Sequence, residues 1–470
     1  MRRLLIILAI ASATSVVARA QTPPPKVVAY DQPVIAFTHV ELIDGTGKPA
    51  QHDMTVVVRN GRIAAVAPAS TPAPADATII DGTGKTLLPG FVMMHEHMFY
   101  PTGHANYTEM LYSFPRLYLA GGTTTMRTAG SMNAYADLQL RDEINAGRAI
   151  GPDIDVTGPY LNGPGLPILK VHVLKDANEA VQMVNYWSDL GVTSFKGYMH
   201  LTRAELQAID ATAHKRGRKV TAHLCSITYH EAIDAGIDNL ENGFFVSTDF
   251  VTDKKPDVCP DRGDVVKSQV ALDPDGPQAR VLIKDLIDHH VALTSTLTVF
   301  ETSVPGRPEA PERALSVLIP EEREQYESTW KHIQAQKESP SGAAYPKLAR
   351  MEKAFVDAGG FLMAGTDPTG YGGVVPGFAG KREVELLVED DGFSFEQAVK
   401  IATLNGAIFE GLDKDRGTVE VGKRADLILI DGDPLKDVTA IEHMPLVFKN
   451  GKGYRTDAII DEMKGVVGLN

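Results

Sequence analysis

Cysteine is nearly missing from this chain: 470 residues carry two, Cys225 and Cys259. A scaffold held by disulfides is excluded, and one bridge between the pair is the most an oxidising compartment could add. Positive charge is also short. Lys and Arg number 46 against 60 Asp and Glu, a formal net charge of −14 at pH 7. Nucleic acid and an anionic membrane surface both need a basic footprint, so neither is expected as a partner. Beyond residue 20, no stretch approaches the ~20 uninterrupted apolar residues of a membrane-spanning helix. The charge balance says little about a substrate, because charge in a pocket can differ from charge over the whole surface.

The first 20 residues stand apart. Met1-Arg2-Arg3 is positive, Leu4 to Val17 is a short apolar run, and Ala18-Arg19-Ala20 is a small-residue cleavage site before Gln21. That three-part layout reads as a secretory signal peptide over 1–20; a helix packed into the core is the alternative. No cysteine follows the apolar run, so lipid attachment is not expected. The mature chain is expected to be exported, periplasmic or secreted, and it exceeds the roughly 100–200 residues of a single domain.

Two β-rich flanks surround a different middle. Ala36 to Ile43 ends at Asp44-Gly45, and Met54 to Val58 turns through Asn60-Gly61 into Arg62 to Val66. Asn-Gly between two such runs predicts a hairpin. Gly417 to Val419, Ala425 to Ile430 and Leu446 to Gly451 have the same texture at the other end. One small β-sandwich domain assembled from both ends, 21–88 and 415–470, is expected. Between them, residues 89–414 alternate short apolar strands (91–97, 123–130, 153–158, 192–198, 219–224, 239–244, 292–298 and 361–366) with helical stretches. One is Arg203 to Arg216, with Ala204, Leu206, Ile209 and Ala213 on one face. Strands alternating with amphipathic helices imply parallel βαβ units, and eight of them fit a closed (β/α)8 TIM-like barrel. An open doubly wound sheet is the alternative, but no glycine-rich phosphate loop follows the first strand to favour it.

In such barrels, functional groups stand at the C-terminal ends of the strands. The first strand ends His95-Glu96-His97. Histidines at i and i+2 of a strand point the same way, so both imidazoles can reach one ion; chance core histidines are the bland alternative. The fourth strand places Lys196 where an apolar residue is expected. A buried lysine loses its proton readily, and the neutral amine can add CO2 to become a carbamate ligand; a snorkelling surface lysine is the alternative. The fifth strand ends at His223 and the eighth at Asp367, a carboxylate able to ligate a metal and move a proton.

In that order along one barrel, His-x-His, Lys, His and Asp resemble the amidohydrolase superfamily. The resemblance covers nearly the whole mature chain, including the Leu88-Pro89-Gly90-Phe91 entry to the first strand and the tail from Gly417 to Leu427. It is greatest to the exported prolidase-like and imidazolonepropionase-like branches. It implies a metal-dependent hydrolase of carbon–nitrogen bonds acting on a small molecule. One or two divalent ions are implied, zinc foremost: His95, His97 and Asp367 would hold one, a carboxylated Lys196 would bridge, and His223 would hold the second. Homo-oligomers are common in this fold, which is analogy.

Two departures qualify what the resemblance implies. The sixth strand of the family normally supplies a further histidine; the matching position here is Asn242, in Asn239-Leu240-Glu241-Asn242-Gly243. An amide oxygen is a poorer zinc ligand than imidazole. Asn242 then ligates weakly, or the site holds one ion and still hydrolyses, or the position marks lost activity in a non-catalytic metal-binding barrel. The prolidase-like branch also carries a tyrosine two residues after the fifth-strand histidine; Cys225 stands there instead. Cys225 is expected to bridge to Cys259, to form a soft pocket wall, or to ligate metal adventitiously. Tyr160, His172, Tyr198, His200 and Tyr229 follow strand ends and are candidate substrate contacts, each with a hydrogen-bonded loop role as its alternative. A lactone or ester is the neighbouring substrate class to an amide.

Overall fold

Asn60 and Gly61 both take left-handed backbone, at φ 49° and 79°. Two consecutive residues of that kind build the turn whose twist matches paired strands. They join Gln51–Arg59 to Arg62–Pro68 in an antiparallel hairpin. The hairpin is one arm of a nine-stranded sheet in which Lys85–Pro89 pairs antiparallel with Leu427–Asp431, so both flanks of the chain share one hydrogen-bonded framework. Along that sheet two strands separate Val34–Leu42 from Leu446–Lys449, a span of about 14 Å in a flat sheet at ~4.8 Å per strand. Yet the rings of Phe37 and Phe448 are 4.9 Å apart. The sheet therefore folds over on itself, enclosing a core of its own with Ile35, Val56, Leu427 and Leu429. The computed structural model describes residues 27–468; the expected signal peptide lies outside them.

Eight parallel strands follow: Phe91–Glu96, Thr123–Thr128, Asp153–Val156, Ser194–Gly197, Lys219–Ala222, Asn239–Glu241, Ala292–Ser295 and Leu362–Ala364. Each falls inside a span read from the sequence. The first three pair among themselves and the last five likewise. Parallel bridges Thr157–Ser194 and Leu161–Gly197 join the two groups at one seam. At the other seam the backbone N–H groups of Thr366 and Asp367 donate to His95 O at 3.0 and 2.9 Å. With both seams bonded the strands form a (β/α)8 barrel rather than an open sheet.

The outer helices are set by caps and apolar faces. Thr202 and Glu205 exchange side-chain and backbone hydrogen bonds in a capping box that starts Arg203–Lys215. Leu206, Ile209 and Ala213 are fully buried against the barrel, the first two contributing about 1.5–3 kcal/mol each. Ala204, expected on that face, is exposed; Glu205 is the inward neighbour because its carboxylate completes the cap. Between the seventh and eighth strands the chain adds Leu297–Glu301, Glu312–Leu315, Pro320–Gln334 and Pro340–Asp357. Cys225 and Cys259 are joined by a disulfide, their Cα atoms 4.8 Å apart. It ties the exit of the fifth strand to the loop before helix Arg262–Ala271. No helix among the described residues is long and apolar enough to cross a membrane.

Candidate metal centre

The two-residue period of Phe91–Glu96 turns His95 and His97 to the same side, and each is about 1% exposed. The His97 Nδ1 atom is 3.1 Å from Gly130 O. A carbonyl can only accept, so Nδ1 carries the proton and Nε2 is left with a lone pair. Gly130 is needed for this contact. Its φ is 102°, and a Cβ there would stand 2.8 Å from the Tyr160 ring. The His95 Nδ1 atom faces the Glu241 carboxylate at an ion-pair distance of 2.8 Å. The Nε2 atoms of His95 and His97 then converge on Asp367 Oδ1, at 3.5 and 3.3 Å.

Asp367 and Asn242 follow the eighth and sixth strands in left-handed conformations, φ 48° and 68°. For residues with a Cβ this backbone is costly and persists where surrounding contacts enforce it. Those contacts are visible: Asn242 Nδ2 donates to Asp367 Oδ2 at 3.0 Å, and Thr369 Oγ1 donates to Asp367 Oδ1 at 3.0 Å. Asn242 Nδ2 also donates to Thr296 Oγ1 at 2.9 Å, while its Oδ1 is buried without a partner. Burial pushes the Asp367 carboxyl up, but the facing His95, His97 and Lys196 groups hold it well below the usual carboxylate range.

His95, His97 and Asp367 offer three ligand atoms within 4.8 Å of one another. With Nδ1 protonated, the His97 lone pair faces a carboxylate oxygen, an arrangement that needs a proton or a cation between them. Burial pushes His97 down to about 4, so a proton does not serve at neutral pH. Two imidazoles and a carboxylate form a donor set suited to a catalytic divalent ion such as zinc. The residues fit the ion.

Lys196 is 1% exposed, and burial pushes its amine down to about 8. Its Nζ is 3.8 Å from Glu241 Oε1. That same oxygen accepts from Arg127 Nη2 at 2.7 Å and from Thr221 Oγ1. Burial pushes Glu241 up, yet Lys196, His95 and Arg127 hold it well below its ordinary range. His223 is half-buried; burial first, then the Lys196 charge, push its imidazole down to about 3. An aromatic wall connects these groups. Phe99 stacks on His97 at 4.4 Å, Tyr160 lies 4.7 Å from Tyr198, and Tyr198 lies 5.2 Å from His223. The Tyr160 hydroxyl stands 3.4 Å from His97 Nε2.

The other sequence candidates are not part of this cluster. Tyr229 is fully buried, and its hydroxyl donates to Gly243 O at 2.7 Å; it supports the end of the sixth strand instead of facing a substrate. His172 is exposed and paired with Glu179 Oε1 at 3.1 Å. His200 is half-buried, its ring lying beside Gly165 in a neighbouring loop. Sequence reasoning missed Arg127 and Glu241, both fully buried, although a cation inside an apolar strand is the signal that singled out Lys196. It also passed over Glu96, which turns away from its two histidine neighbours to accept from Thr366 Oγ1 at 2.5 Å. Burial pushes Glu96 up to about 8.

A sequence profile described as the amidohydrolase family matches residues 86–453. Among curated proteins, the D-hydantoinase of Streptomyces coelicolor is 29% identical over 149 residues, 31% of this chain and 29% of the relative; the chain thus spans under a third of that relative's length. Among solved structures, a candidate prolidase from Bifidobacterium longum is 28% identical with a TM-score of 0.63, covering 93% of this chain and 99% of that one. A Xaa-Pro dipeptidase with methionine bound in its active site shares the fold at 20% identity and a TM-score of 0.67, over 90% of this chain and 100% of the other.

Proposed function

Because the chain belongs to the amidohydrolase family, we propose that it is a metal-dependent hydrolase of carbon–nitrogen bonds, amide or cyclic amide, in small molecules. The observation that carries the reading is the convergence of the His95, His97 and Asp367 donors at the barrel mouth. His95, His97 and Asp367 would hold one divalent ion, zinc by donor type. Lys196, once carboxylated, and His223 would hold a second. The low proton affinity of the Lys196 amine favours carbamate formation, in which the amine adds CO2 and releases one proton. The ion would lower the pKa of a ligated water toward about 7 and polarise the scissile carbonyl. The names of the relatives, a hydantoinase and a prolidase, are in keeping with amide chemistry.

The protein groups supply the remaining chemistry. Asp367 takes the proton of the attacking water and returns it to the leaving nitrogen. Asn242, donating to Oδ2, orients that carboxylate and keeps it ionised. A second role for Asn242, as a weak ligand, is supported by its unpartnered Oδ1. Gly130 fixes the His97 tautomer, the Glu241 carboxylate faces His95 Nδ1, and Arg127 balances the Glu241 charge. The Tyr160 hydroxyl is within reach of a substrate oxygen beside His97. Export of the mature chain is part of the proposal, supported by the pattern of residues 1–20 and by the disulfide.

The test is a screen of amides, cyclic amides, esters and lactones with protein purified from zinc- and bicarbonate-supplemented medium. Turnover of a carbon–nitrogen substrate, lost on chelation, is the expected result. Turnover of lactones or esters alone would redirect the reading to an esterase. An ion-loaded protein that turns over none of the four would be a binding protein.

A further inference from the structure

Past His223 the site continues into a second space. A cavity of about 350 Å³ runs from His223 and Met199 across the Cys225–Cys259 disulfide. Its walls are largely apolar: Leu224, Val265, Val266, Phe300 and Leu348 line it with the Phe245 ring. Phe245 stacks on Phe300 at 4.3 Å, and Tyr345 lies 5.4 Å from Phe245, so three rings face the space from one side. Among the described residues that line it, Arg262 is the one permanently charged group, and it is exposed at the rim.

The walls come from parts of the chain outside the barrel strands. Val265 and Val266 belong to helix Arg262–Ala271, Phe300 to Leu297–Glu301, and Tyr345 and Leu348 to Pro340–Asp357. The disulfide anchors the first of these segments two residues beyond His223. An apolar chamber that reaches His223, at the edge of a polar reaction centre, has the form of a specificity pocket.

We propose that this cavity receives an aryl or branched alkyl group carried on one side of the scissile bond. The preferred substrates are then amides of bulky apolar acids or amines, not of acetate or glycine. The inference rests on the hydrolase reading above, but its test reads binding, so the two can fail separately. Stacked rings accept a flat aromatic group by offset or edge contact, and each added methylene in such a pocket is worth about 10-fold or more in discrimination.

The experiment compares 4-phenylbutyrate with butyrate, both as ligands of the zinc-supplemented protein, by titration calorimetry. Any contribution of the shared carboxylate cancels in the ratio. Phenylbutyrate is expected to bind at least tenfold tighter. Ser341 and Val265 line the cavity and are half-buried, so Ser341→Phe and Val265→Phe fill it from the rim with little demand on the core. Each is expected to cut the ratio to about threefold or less. Equal binding of the two acids by the natural protein would overturn the proposal, as would a ratio unaltered in both variants. A tenfold preference in a protein that cleaves no amide would keep the pocket and reject the hydrolase.

Discussion

Arg127 offers the sharpest test of how the centre is held together. Its side chain is fully buried; Nη2 donates to Glu241 Oε1 and to Asn239 Oδ1, both at 2.7 Å, and Nε donates to Met94 O at 2.9 Å. Replacing it by Met keeps the length and the apolar stem but leaves the Glu241 carboxylate buried and short of a countercharge. Removing one partner of a buried ion pair costs about 3–5 kcal/mol. Lys196, 3.8 Å from the same oxygen, offsets part of this, so about 3 kcal/mol is expected. For a cooperative unit of ~350 residues, at about 2 cal/mol/K per residue, that is a fall in Tm of about 4 °C. Thermal scans at one fixed rate measure it. The double variant Arg127→Met/Glu241→Gln removes both charges and is expected to be less destabilised than the sum of the single variants by about 2 kcal/mol. Additive losses would mean that the pair is not coupled, and the role given to Arg127 would be wrong.

Three other outcomes are expected. Asp367→Asn should cut kcat by about 10²–10⁴, the usual worth of a positioned acid/base; near-normal turnover would remove Asp367 from proton transfer. Glu352 is fully buried, and burial pushes its carboxyl up to about 8 from 4.5. The folded chain therefore holds this proton more tightly than the unfolded one, and stability falls as pH rises from 4.5 to 8, by about 1.4 kcal/mol per unit at most. In Glu352→Gln the decline should be shallower, with Tm matching the natural protein near pH 4.5 and exceeding it near pH 8; parallel curves would refute this. Reducing the Cys225–Cys259 bridge, which closes a sequence separation of 34, should lower stability by about 3–4 kcal/mol. An unchanged urea midpoint under reductant would show that the clamp contributes nothing.

Much of the centre is legible in the sequence because strand periodicity is rigid. His95 and His97 must share a side once Phe91 to Glu96 is a strand, and a lysine in Ser194-Phe195-Lys196-Gly197 is conspicuous by the cost of burying it. Arg127, in Thr123 to Thr128, obeys the same logic and was equally open to it. Glu241 is visible in the sequence beside Asn242, but its use depends on His95 lying across the barrel. Loop residues were read less well. The direction of Tyr229 or His172 is set by helix starts and local partners such as Glu179, not by a period of two. The apolar cavity is not legible in the sequence, because its walls meet only through the packing of segments spread from 199 to 348. Asn242 illustrates both sides: its departure from the family pattern was plain, whereas its donation to Asp367 required the fold.

The central claim, that His95, His97 and Asp367 form a metal centre, is tested most directly by elemental analysis of bound metal per chain. The natural protein, grown with zinc and bicarbonate, should carry at least one divalent ion, and the His95→Ala/His97→Ala variant should lose the ion bound between these residues. No ion in the natural protein, or an equal content in the folded variant, would contradict the account.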